Sequence, residues 1–137
     1  MIATIDTNVL VSGLFAKVKG ADTTPPQMVV NMLVNSLLTP CYNDAIIAEY
    51  AGVLHRPKFP FSDDLVDFLV QGICKAGMAV SPLISKRTFT DEEDRKFYDV
   101  AKTIGSVLVT GNTKHFPKEP WILTPREFVD RFQGDGR

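Results

Sequence analysis

Ile2-Ala3-Thr4-Ile5-Asp6-Thr7-Asn8-Val9-Leu10 is the stretch on which the fold turns. Its first four residues form a short, largely apolar run with β-branched side chains. The run stops abruptly at three polar residues, which reads as a buried strand ending in polar sequence. A carboxylate at that boundary is costly to bury unless cations or donors compensate it. One reading makes Asp6 the cap of the next helix, because Asp is among the favoured N-cap residues. The other makes it one member of a site whose partners lie elsewhere in the chain.

Outward from this stretch, helical and strand-like segments alternate. Val9 to Phe15 predicts a short helix, and Lys17 to Thr24, with Gly20 and Asp22, has loop composition. Pro25-Pro26 suits the first turn of a helix with Met28, Val29, Met32, Leu33 and Leu37 as its apolar stripe. Leu38 to Tyr42 predicts a brief strand, followed by a helix with Asn43 as N-cap and Ile46, Ile47, Tyr50, Ala51 and Leu54 at helical spacing, ended by Arg56-Pro57. Ser62 is the expected N-cap of the next helix, with Leu65, Phe68, Leu69 and Ile73 inward and Gly77 at its end. Met78 to Ile84 reads as a strand interrupted by Pro82.

Thr90 with Glu93 forms a capping-box pattern before a helix whose Phe97, Tyr98 and Ala101 face inward, closed by Gly105. Ser106 to Thr110 is strongly strand-like, and Trp121 to Leu123 is a further short strand. Thr124-Pro125-Arg126-Glu127 is a second capping box, opening a last helix with Phe128, Val129 and Phe132 inward, and Gly134 to Arg137 are expected to fray. The alternation implies an α/β fold with a mostly parallel central sheet flanked by helices. Ligands of such sheets bind beyond the carboxyl ends of strands where connections diverge, and Asp6 and Asn112 both follow such ends.

Composition sets the scale. The 137 residues are 45% hydrophobic and 23% charged, with mean hydropathy +0.02, which predicts one folded domain over 1–137 with no room for a second. The first residues lack a basic leader region, and no apolar run reaches membrane-spanning length. Cys41 and Cys74 lie far apart without metal-ligand spacing and read as reduced core thiols. Together these features point to a cytoplasmic protein without membrane association. The net charge of -1 does not decide nucleic-acid binding, because an acidic site offsets basic residues elsewhere in the sum.

The acidic residues carry the chemistry. Asp94, Phe97, Tyr98 and Ala101 follow i, i+3, i+4, i+7, which places the Asp94 carboxylate on the apolar face of its helix. A solvated acidic first turn explains Asp91 better than Asp94. Glu49, between Ile46 and Tyr50, borders a buried stripe as well. Three acids meeting near one sheet edge repel, and a hard divalent cation is their natural counter-ion. Mg²⁺ or Mn²⁺ fits oxygen ligands in a chain without convergent His or Cys.

Asp6-Thr7-Asn8-Val9-Leu10, Glu49-Tyr50 with Arg56-Pro57-Lys58-Phe59, Asp91 to Phe97, and Leu108-Val109-Thr110-Gly111-Asn112 with His115-Phe116 together resemble the PIN-domain family over nearly the whole chain. More narrowly they resemble bacterial PIN toxins of toxin–antitoxin pairs. The resemblance implies a three-layer α/β/α fold and a divalent-metal-dependent endoribonuclease acting on single-stranded RNA. Asp6, Glu49 and Asp94 are then the catalytic and metal-holding acids, with Asn8, Ser12, Thr110 and Asp91 orienting them. It also implies an antitoxin partner and a homodimer, for which the apolar helix around Met28 to Leu38 is a candidate, although core packing explains that stripe equally well. Many family members carry a fourth acid where this chain has Asn112, an uncharged metal ligand, so the number of ions is open.

Lys17, Lys19, Arg56, Lys58, Lys86, Arg87 and Lys114 supply cations in expected loops, of which Arg56, Lys58 and Lys114 are the candidate RNA contacts. His115 reads as structural and Asp99 as an ordinary surface acid. Two other readings remain at this stage. A haloacid-dehalogenase-type phosphatase wants an Asp where Asn8 stands, and a catalytically silent PIN module binding RNA or a partner protein follows if the acidic set is incomplete.

Overall fold

Five strands, all parallel, form one sheet in the order β3-β2-β1-β4-β5 in the computed structural model, which describes residues 1–21 and 23–135. They are β1 (Ile2–Ile5), β2 (Thr39–Tyr42), β3 (Met78–Ala79), β4 (Val107–Val109) and β5 (Ile122–Leu123). Six helices complete a three-layer α/β/α arrangement: α1 (Thr7–Val18), α2 (Pro25–Val34), α3 (Asp44–Leu54), α4 (Asp63–Ala76), α5 (Arg95–Ile104) and α6 (Pro125–Asp135). The sheet is wholly parallel, beyond the mostly parallel expectation.

Strand β1 is central because it pairs with β2 on one side and β4 on the other, Ala3 on both edges, and its Ala3, Thr4 and Ile5 are buried. The chain leaves β1 toward β2 and β3, then returns through α5 to place β4 and β5 on the opposite side. This reversal lies between β1 and β4, and their carboxyl ends therefore open the crevice in which α/β sheets bind ligands. Helix α5 packs against β1, β2 and β4, bringing its first turn to that crevice.

Local chemistry explains most boundaries. Thr24, Asn43 and Ser62 each accept a hydrogen bond from a backbone N–H in the first turn of α2, α3 and α4. Thr124 and Glu127 complete a reciprocal capping box at α6, with bonds of 3.1 and 2.9 Å. Gly105 closes α5 at φ 77°, a conformation that glycine adopts without strain.

Other expectations shift. Helix α1 starts at Thr7 directly after Asp6 and runs to Val18, so Lys17 is helical. Thr90 makes no cap: Asp91 accepts from the Glu93 N–H at 3.0 Å, opening a single 3₁₀ turn before α5. Leu69 and Ile73 of α4 are buried as expected and Leu65 packs partly buried against the core, but Val66 takes the inward place expected of Phe68, which is 63% exposed. Met78 to Ile84 contributes only a two-residue strand, because the side chains of α5 hold the following backbone. Leu83 N–H donates to Thr103 and Ser85 N–H to Asp99, while Leu83 and Ile84 face outward.

Asp99, expected at the surface, is buried and serves that tether. Cys41 is buried, but Cys74 is exposed and is no core thiol. Val29, Val30, Met32 and Leu33 of the Met28 to Leu38 segment enter the core, whereas Val34 and Leu37 are exposed. Gly134 lies within α6. The expected loop residue Asp22 and the expected fraying of Gly136 and Arg137 lie outside the described residues. None of the described helices is long and apolar enough to cross a membrane.

Candidate functional site

The strand-to-helix junction at Asp6 is the starting point of the site. Asp6 N–H completes the sheet by donating to Val109 O at 2.9 Å, which fixes the residue at the junction of β1 and β4. It occupies the N-cap position of α1, yet its side chain makes no cap hydrogen bond. Its Oδ2 instead accepts from Thr110 Oγ1 at 2.8 Å and from Asn8 Nδ2 at 3.2 Å. The helix-capping reading therefore does not account for this acid. Asn8 also accepts from Gly111 N–H at 3.0 Å, and Thr110 Oγ1 from Asn112 N–H at 3.0 Å, so the loop after β4 is stitched to the first turn of α1.

Glu49 and Asp94 reach the same cleft from α3 and from the turn before α5. Asp6, Thr7, Asn8, Ser12, Glu49, Asp91 and Asp94 line it together, around a volume of about 380 Å³. Each acid is held differently. Thr7 Oγ1 donates to Glu49 Oε2 in a short hydrogen bond, and Lys96 Nζ lies 2.8 Å from Glu49 Oε1. Both Glu49 oxygens are thus engaged. Asp94 stands at the N-cap position of α5 without a cap hydrogen bond, and its Oδ2 is buried with no hydrogen-bond partner among the described residues. His115 Nδ1 approaches that oxygen at 3.8 Å, too far for a hydrogen bond.

The electrostatics follow from burial and crowding. Asp6 is only 6% exposed, and its carboxyl is pushed up from 3.8 to about 6. Burial is the main cause; the Thr110 bond pulls it back, and the charges of Asp94 and Glu49 raise it further. Asp94 is also raised, first by burial and then by Asp91. Burial disfavours the Lys96 ammonium, but its bonds to Glu49 and Glu93 outweigh this and lift its pKa above the ordinary lysine value.

The remaining residues divide by place. Ser12 lines the cleft but bonds to none of the acids, and Asp91 lines its rim while capping Glu93. Asn112 is exposed and its side chain does not line the cleft with the acids; only its backbone joins the network, through Thr110. Arg56 lines an adjoining cleft with Glu49, Val53, Glu93 and Lys96. Lys58 stands over the Phe59 ring, and Lys114 lines a separate hollow beside Phe116 and Lys118. Lys19 stands over Phe15 and Arg87 pairs with Glu119, so neither faces the acids.

Two contributors escaped sequence reading. Thr7 reads in the sequence only as part of a polar boundary, and Lys96 as an ordinary helical lysine. The available signal for Lys96 was its i, i+3 spacing from Glu93 beside an acid-rich first turn.

No group of three or more His, Cys, Asp or Glu side chains among the described residues is arranged to cage a metal ion as it stands. Part of the acidic set nevertheless fits a hard cation. Asp94 Oδ2 is buried without a partner, and Asp6 spends both its side-chain bonds on Oδ2, leaving Oδ1 without a hydrogen bond among the described residues. Mg²⁺ characteristically binds through one or two carboxylates, completing its shell with water and substrate phosphate.

Fold and site together define an α/β domain with an acidic cleft at the carboxyl edge of a parallel sheet. A family model described as PIN domain matches residues 3–114, and the chain belongs to the PIN-domain family, whose members are generally nucleases that use divalent metal ions. Comparison with curated proteins and with solved structures gave no match.

Proposed function

We propose that this PIN domain is a divalent-metal-dependent endoribonuclease acting on single-stranded RNA in the cytoplasm, as the toxin of a toxin–antitoxin pair. The observation that carries the nuclease reading is that Asp6 and Asp94, each with a carboxylate oxygen that lacks a hydrogen bond among the described residues, line one cleft at the β1/β4 edge. Burial first, and neighbouring carboxylates second, raise both pKa values, and a cation offsets that cost without protonating the acids. The RNA preference and the toxin role come from the resemblance of the motifs, and exposed bases of single strands suit recognition by loops.

Asp6 and Asp94 would hold Mg²⁺ or Mn²⁺, with Glu49 beside them. Once bound, the ion supplies a water of lowered pKa and neutralises charge on the phosphate. Thr110 and Asn8 fix the Asp6 carboxylate in one orientation by bonding its Oδ2, which leaves Oδ1 for a ligand. Thr7 and Lys96 hold Glu49. Arg56 lies in the adjoining cleft, where a phosphate flanking the scissile one would meet it. Water adds to phosphorus, the P–O3′ bond breaks, and the proton passes to the departing 3′ oxygen, leaving 5′-phosphate and 3′-hydroxyl ends.

Single-stranded RNA incubated with Mg²⁺ or Mn²⁺ should be cut by the wild type, and neither by the wild type in EDTA nor by Asp6→Asn. The exposed, uncharged Asn112 favours a second reading, a silent module that binds RNA or a partner protein. RNA binding without metal-dependent cleavage would select it.

A further inference from the structure

Resting on that nuclease reading, we propose that the cleft is built for one divalent ion, at Asp6 and Asp94, and that Lys96 is a permanent second cation that holds Glu49 and keeps a second ion out.

Three features carry this. An ammonium has three N–H donors. Lys96 Nζ has three acceptors: Glu49 Oε1 at 2.8 Å, Glu93 Oε2 at 3.0 Å and Glu93 O at 2.5 Å. With its side chain only 12% exposed, Lys96 is fixed within the site and does not sweep through solvent as surface lysines do. Next, the acids differ in availability. Among the described residues, Asp6 and Asp94 each keep an oxygen without a hydrogen bond, whereas Glu49 keeps none, because Thr7 and Lys96 take both.

The third feature is charge. Asp6, Asp94 and Glu49 together with Lys96 are doubly negative, matching one divalent ion, and the two further acids lining the cleft, Asp91 and Glu93, are exposed at its rim, where Glu93 is itself bonded to Lys96. Two-metal phosphodiester sites place ions roughly 3.5–4 Å apart, on the attacking and leaving sides of the phosphate. A second ion here would require Glu49 as a ligand and would meet the repulsion of a buried ammonium bonded to it. The exposed Asn112 adds no charge to recruit it. Lys96 acts through Glu49 and is therefore a positioning residue, whose charge also faces the cleft shared with Arg56.

The test is calorimetric titration of the metal-free protein with Mn²⁺, paired with electron paramagnetic resonance to count bound ions. The wild type should take a single Mn²⁺. Lys96→Gln and Lys96→Met, checked for folding by circular dichroism, should take a second or bind the first about tenfold more tightly, and Lys96→Arg should restore wild-type behaviour. Two ions in the wild type, or Lys96→Gln and Lys96→Met titrating as the wild type does, would overturn the proposal. Two ions in the wild type overturn the proposal even if those variants do not fold, and in that case Lys96→Arg taking a second ion overturns it as well. Unchanged Lys96 variants alongside loss of binding in Asp94→Asn overturn this proposal and leave the nuclease reading standing, whereas no Mn²⁺ binding by the wild type overturns the nuclease reading as well.

Discussion

Replacing Asp6 by Asn should stabilise the metal-free protein at neutral pH while abolishing its activity. Asp6 is 6% exposed, and its carboxyl is pushed from 3.8 to about 6. A rise of about two units, at about 1.4 kcal/mol each, means that the ionised carboxylate costs the folded state about 3 kcal/mol relative to the unfolded chain. The folded pKa is the higher one, so between about pH 4 and 6 the folded state binds the extra proton. Stability is therefore greatest below the unfolded value and declines as pH rises through that window. Asn is nearly isosteric and still accepts from Thr110, but carries no charge to bury. The gain should be about 1–3 kcal/mol at pH 7, some of the 3 kcal/mol being lost to imperfect placement of the new amide. Urea unfolding followed by circular dichroism in EDTA, at pH 7 and at pH 4, measures it. The gain should vanish at pH 4, and Mn²⁺ at pH 7 should let the wild type recover the difference. An Asp6→Asn protein less stable than the wild type at pH 7, or equally stabilised at both pH values, would refute the reasoning.

Three further perturbations test other links. Thr110→Val keeps the shape but removes the Asp6 donor and the Asn112 acceptor; urea unfolding should show a loss of about 1–3 kcal/mol, and RNA cleavage should slow about tenfold. His55 joins the end of α3 to the start of α4 through Asp63 at 2.9 Å and Asp67 at 3.0 Å. The Asp63 bond leads in raising its pKa, so the clasp is complete below the ordinary histidine value and fades as pH rises through the folded one. The melting-temperature gap between wild type and His55→Gln should accordingly shrink from pH 6 to pH 9. Gly13→Ala would set a Cβ 2.5 Å from Val30 Cγ2 and 2.6 Å from Pro26 O, where α1 crosses α2. Thermal unfolding should reveal a loss of about 1–3 kcal/mol despite the better helix propensity of alanine, and a higher melting temperature would contradict the packing described.

The parts legible in the sequence were those with local causes. Ile2 to Ile5 followed by Asp6 reads as a strand ending in a costly acid, and the caps at Asn43, Ser62 and Thr124 mark helix starts through a few neighbouring atoms. Asp94 was visible because helical spacing puts it with Phe97, Tyr98 and Ala101. The rest depends on elements distant in sequence. Asp99 looks like any polar helical residue until the backbone of Ser85 crosses it. Phe68 looks like core until Val66 takes the inward place beside Leu69 and Ile73. Lys96 becomes a site residue only when α3 brings Glu49 beside it, a contact across 47 positions that no periodicity encodes. Thr90 lost the cap to Asp91 because the helix begins with a 3₁₀ turn, which moves the N-terminus by one residue.

Crystals of the protein soaked in Mn²⁺ and measured for anomalous scattering bear most directly on whether Asp6 and Asp94 share a cation. The account predicts a single peak within coordination distance of both carboxylates, with Glu49 still bonded to Lys96. A peak elsewhere on the molecule, or none in the cleft at saturating Mn²⁺, would contradict it.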